Sequence, residues 1–276
     1  MWPRDFLPAS HPRVAAPRSR YWAGVAITVL AVVSQYFVPQ LVPASLVLYG
    51  NLPGDLFVVY GIPVISFALL IGAGPLRDWG RRLGTAGWEG LRWYGLLSLL
   101  SLLVILILTV IYEFVDPAAL TYLSRPNPAI TQAASNPWFY VALSFLVGAF
   151  EETIFRGWIF GYWRDVGGGW VLPATWTSVV FAGVHLYYGF TYGPAAPLIF
   201  PGLFLLGFAF AATYRYSGGN LVVPALLHGE YDASAYLTLI NEEWGLLARY
   251  LVILAGGVIA LVAWLRDSSG RSAAPP

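Results

Sequence analysis

The 276-residue chain is 58% hydrophobic and 11% charged. Soluble domains carry about 25% charged residues, so an ordinary water-facing surface is excluded. A net charge of +1 excludes an electrostatic footprint for nucleic acid. Cysteine is absent, and all 15 basic residues are arginine. That excludes disulfides, thiolate catalysis, Cys-ligated metal centres, and Schiff-base or Ser–Lys chemistry. The remaining fold class is an all-α, polytopic membrane helix bundle whose first partner is the lipid bilayer.

A bilayer core requires about 20 apolar residues of helix. Stretches without Asp, Glu or Arg run over 21–54, 56–76, 93–112, 126–150 and 166–214. With the apolar segments that follow Arg215, the chain predicts eight transmembrane helices, near 21–39, 56–75, 93–114, 137–161, 170–187, 197–214, 220–239 and 245–265. The first run has no small-residue cleavage site and reads as a retained helix. Segment 40–55, with Pro43, Pro53 and Gly54, reads as too broken to span, and 76–92 reads as an arginine-bearing loop. The chain thus divides into a mobile tail (1–20), helices without a motif (21–136), a core (137–239), a last span (240–266) and a second tail (267–276). Arg4, Arg13, Arg18 and Arg20 precede the first helix, and Arg77, Arg81, Arg82 and Arg92 follow the second. By the positive-inside rule both termini are cytoplasmic. The lysine-free, Trp-rich composition points to a prokaryotic plasma membrane.

Ionisable groups within apolar helices are costly and mark function. Here they cluster late in the chain. The fourth helix carries Glu151, Glu152 and Arg156; the fifth carries His185; the seventh carries His228, Glu230 and Asp232. Glu152 and Arg156 are four apart, hence stacked on one face and able to neutralise each other. Glu151 is rotated about 100° from Glu152, away from that pair. Phe181 lies one turn before His185 on the same face, and His228 and Asp232 are again four apart. Pro224 has no N–H to offer the Asn220 carbonyl and is expected to bend the seventh helix one turn before His228. Taken singly, each feature has a plain structural reading: an ion pair, a packed histidine, a His–Asp hydrogen bond.

The order Glu151-Glu152-Thr153-Ile154-Phe155-Arg156-Gly157, then Phe181-x-x-x-His185, then His228-x-x-x-Asp232 resembles the three signature motifs of the CPBP family. These are the CAAX-protease and bacteriocin-processing intramembrane proteases, including Rce1-type prenyl proteases. The likeness covers about 137–239, and the first motif is the most specific. The resemblance implies that Glu151 and His185 activate a water molecule, while His228, with Asp232 beside it, stabilises the oxyanion. Glu152 is then the second acid of the motif, and Arg156, Phe181 and Pro224 support the site. The implied partner is a membrane peptide or protein substrate, lipidated or not.

One residue departs from the family pattern. The third motif most often ends in Asn, and an ionised Asp232 cannot donate a hydrogen bond. Asp232 is then protonated, or orients His228, or belongs to a metal site. Two histidines and two carboxylates, Glu151, His185, His228 and Asp232, form a possible zinc set. The family has been described both as metalloproteases and as metal-independent glutamate proteases, so no cofactor or zinc are both open. Other intramembrane designs lack their residues: there is no His-Glu-x-x-His, Gly-x-Ser-Gly or Gly-x-Gly-Asp. The competing class is a non-catalytic scaffold, immunity or transport protein; the absence of repeats argues against the transporter.

Overall fold

The computed structural model describes residues 16–41, 52–85, 136–163, 170–186 and 196–271. All regular structure among them is helical. In chain order these are α1 (Arg18–Leu41), α2 (Leu52–Leu56), a π-helical turn (Phe57–Gly61), α3 (Ile62–Leu70), α4 (Gly74–Thr85) and α5 (Pro137–Glu152). A second π-helical stretch (Thr153–Phe160) follows, then α6 (Val171–Val184), α7 (Ala196–Tyr216), α8 (Val222–Ile240) and α9 (Glu242–Arg271). Every predicted helix except 93–114 has a helix at its place. That segment, His11 and the Gly167–Gly169 run lie outside the described residues. Pro137–Trp163 is long and apolar enough to cross a membrane, and among the described residues it alone meets both conditions.

Two expectations need correction. Residues 76–92 do not begin as a loop: α4 occupies Gly74–Thr85. The charges of Arg77, Asp78, Arg81 and Arg82 interrupt the apolar run, but Leu76, Trp79 and Leu83 recur at helical spacing. Pro224 does not bend a helix interior either. α8 starts at Val222, so Pro224 falls in the first turn, where a missing N–H removes no intrahelical bond.

Helix ends follow local chemistry. The Asn136 side chain accepts from the Phe139 N–H at 3.2 Å, with Pro137 opening α5. Asn241 caps α9 by accepting from the Trp244 N–H at 2.9 Å, and Glu242 and Glu243 fill its first turn. After α7 the Gly219 N–H reaches the Tyr214 carbonyl at 2.7 Å and the Gly218 N–H reaches the Arg215 carbonyl at 3.1 Å. Gly218 and Gly219 have φ of 74° and 72°, the left-handed conformation this stop requires.

Two compact units divide the chain, one formed by Met1–Arg81 with Phe150–Ala211, the other by Arg82–Ala149 with Ala212–Pro276. In the first, α1 packs on α3, and both α3 and α6 pack on the second π-helical stretch. Its core holds Tyr21, Phe67, Ile154, Phe155, Trp158, Ile159, Tyr162 and Phe181. The Trp158 indole donates to the Gly72 carbonyl at 2.9 Å, tying the π-helical stretch to the end of α3. In the second unit, α8 and α9 pack along each other across Asn241. Gly148 and Gly229 meet there so closely that a Cβ on Gly148 would stand 2.7 Å from the Gly229 nitrogen.

Candidate active site

In the first unit, the chemistry-bearing residues stand where regular α-helix ends. α5 closes at Glu152 and the chain continues as a π-helical stretch from Thr153. Such insertions are rare and recur at functional sites. Every residue from Glu151 to Phe160 is buried. Glu152 and Arg156 form the expected pair, with Arg156 Nη1 2.9 Å from Glu152 Oε1 and both side chains fully buried. Arg156 Nη2 donates to the Gly207 carbonyl at 2.7 Å. The guanidinium lies 4.9 Å from the Phe181 ring centre and 5.2 Å from that of Phe210. Its charge is thus met by a carboxylate, a carbonyl and two aromatic faces.

Glu151 points elsewhere, as the 100° step requires. Its Oε1 accepts from the Tyr60 hydroxyl at 3.0 Å. Its Oε2 lies 3.9 Å from His185 Nε2. His185 ends α6, and its Nδ1 is 2.7 Å from the Phe181 carbonyl. A carbonyl only accepts, so this bond puts the proton on Nδ1 and, in the neutral ring, leaves the Nε2 lone pair on the side of Glu151. The 3.9 Å gap exceeds a direct hydrogen bond. Phe181 links the two parts: its ring is 4.7 Å from the His185 ring and packs edge-on against Phe155 at 5.2 Å.

In the second unit, His228 Nε2 lies 3.6 Å from Asp232 Oδ2 on successive turns of α8. His228 is buried, at 3% exposure, whereas Asp232 is 32% exposed. Glu230 and Pro224 are buried on the same helix. Around them Tyr140 stacks on Tyr236 at 5.2 Å, and Arg249 donates to the Ser234 hydroxyl at 3.2 Å.

The structure therefore brings Glu152 to Arg156, Glu151 to His185, and His228 to Asp232. The proposed zinc ligands fall into these last two pairs, one in each unit. Among the described residues no group of three or more His, Asp or Glu side chains is arranged to hold a metal ion.

Sequence reasoning missed two neighbours. Tyr60 holds Glu151, and the Trp79 indole donates to the Thr153 hydroxyl at 2.7 Å. Both lie in the N-terminal part of the chain, 91 and 74 residues from their partners. No local pattern sets Tyr60 apart from the rest of the chain's 17 tyrosines.

Comparison with known families matches residues 133–234 to the type II CAAX prenyl endopeptidase Rce1-like family. The matched segment contains every catalytic candidate from Glu151 to Asp232. No curated protein and no solved structure matches the chain.

Proposed function

We propose, from the match of residues 133–234 to the Rce1-like family, that this protein is a membrane-embedded endopeptidase. It hydrolyses a peptide bond near the terminus of a membrane-associated peptide. A prenylated C-terminal CAAX sequence, the substrate named for the family, is the first to test. Eight spans with cytoplasmic termini suit the charge content and the arginine distribution.

The observation that carries the reading is the Glu151–His185 pair, Oε2 to Nε2 at 3.9 Å, with the imidazole fixed through Phe181. Two acceptors at that separation suit a water molecule donating one hydrogen to each. As the water oxygen attacks the scissile carbonyl carbon, Glu151 takes its proton. The carbonyl electron pair moves onto oxygen, where the role carried over from the family has an N–H of His228 meet the developing charge. Asp232, four residues on, orients His228 from the more exposed side, a task open to a carboxylate that cannot itself donate. When the tetrahedral carbon collapses, the C–N bond breaks and Glu151 returns the proton to the leaving amine. Glu152 and Arg156 hold the helix and take no proton.

The test is cleavage of prenylated and unprenylated peptides by purified protein, with Glu151→Gln, Asp232→Asn and chelator arms. The mechanism requires loss in Glu151→Gln, with activity retained in Asp232→Asn and in chelator. Chelator-sensitive activity restored by zinc would replace it with a metal mechanism. No cleavage of any peptide would favour a scaffold or transport role.

A further inference from the structure

We infer that the N-terminal helices supply a positioning residue for the general base: Tyr60, whose hydroxyl fixes the Glu151 carboxylate so that its second oxygen faces His185. The inference rests on the peptidase reading, which gives Glu151 its task. Tyr60 lies on the π-helical turn Phe57–Gly61, outside the matched segment 133–234. Its hydroxyl donates to Glu151 Oε1 at 3.0 Å. Its ring lies parallel to that of Phe150, 9° between planes and 5.7 Å between centres. Phe150 directly precedes Glu151, so one aromatic pair sets both the tyrosine and the backbone that bears the base.

A glutamate's terminal torsion is broad and roughly two-fold. A carboxylate that turns about this torsion moves the oxygen that faces the histidine. The Tyr60 bond to Oε1 opposes that turn, while Oε2 stands 3.9 Å from His185 Nε2. Tyr60 reaches the carboxylate from one π-helical segment, Phe57–Gly61, and a second, Thr153–Phe160, begins two residues after Glu151 along the same helix. Each offsets the helical register where it occurs. For Phe57–Gly61, the register sets the direction of the Tyr60 hydroxyl.

Tyr60→Phe keeps the ring and its stacking on Phe150 and removes only the hydroxyl. In peptide cleavage, kcat is expected to fall about tenfold to hundredfold, the size of one hydrogen bond to a charged group, with KM within about twofold. A thermal-unfolding cycle of Tyr60→Phe, Glu151→Ala and the double variant is expected to show coupling. Losing the hydroxyl should cost less stability in the Glu151→Ala background, where the Glu151 acceptor is gone, than in the wild-type background. Unchanged kcat in Tyr60→Phe overturns the inference, as does an equal loss of stability in both backgrounds. If the cycle shows coupling while wild-type protein cleaves no peptide, the peptidase reading fails and the kinetic role of Tyr60 with it, but the contact stands.

Discussion

Replacing Arg156 by methionine removes the cation facing the buried Glu152 carboxylate and the donor to the Gly207 carbonyl, while keeping much of the side-chain volume. Breaking one side of a buried ion pair costs about 3–5 kcal/mol. The stranded carbonyl adds to that, at about 1–3 kcal/mol for a buried group left without its donor. Whole proteins are stable by about 5–15 kcal/mol, so stranding the Glu152 charge removes a large share. At about 2–4 °C per kcal/mol, leaving that carboxylate without its cation should lower the unfolding temperature by about 6–20 °C. Arg156→Lys keeps the charge but has no planar fork to serve Glu152 and Gly207 together, and should fall between. Glu152→Leu combined with Arg156→Met removes both charges and should recover most of the loss. Tryptophan fluorescence during heating in detergent micelles reads all three variants. A shift under about 2 °C for Arg156→Met, well short of that range, would refute the reasoning. So would a double variant less stable than the single.

Glycine positions give sharper steric predictions. Gly148→Val would place its Cβ 2.7 Å from the Gly229 nitrogen and 2.9 Å from the Ala225 carbonyl oxygen, both backbone atoms. It should cost about 1–3 kcal/mol by overpacking, whereas Gly183→Ala, with nothing within 4 Å, should be tolerated. Equal unfolding temperatures for the two would contradict the close helix crossing. Gly218→Ala forces a side chain onto φ 74° and should cost about 1–2 kcal/mol, read in the same melts.

The Glu152–Arg156 pair is legible in the sequence because both residues lie four apart on one helix, where sequence spacing is spatial spacing. His228 and Asp232 are legible for the same reason. The meeting of Glu151 with His185 is not, since they stand on different helices and only the resemblance to a protease family implies it. The start of α8 is easily misjudged because a proline reads as a bend wherever an apolar run extends past it. Nothing in the run from Asn220 shows that the helix opens only at Val222. The α4 helix is hidden by its charges, which break an apolar run yet leave an amphipathic period intact. Tyr60 is beyond reach for a different reason. Its partner is 91 residues away, and its aim is set by a π-helical turn that no hydrophobic period announces.

The most direct measurement of the central claim is mass spectrometry of a prenylated CAAX peptide incubated with purified wild-type protein and with Glu151→Gln, both in nanodiscs. Wild type should produce a single new carboxyl terminus. Glu151→Gln should cleave at a rate about 10²–10⁴-fold lower, the range for losing a general base. Cleavage at an undiminished rate by Glu151→Gln would contradict that role.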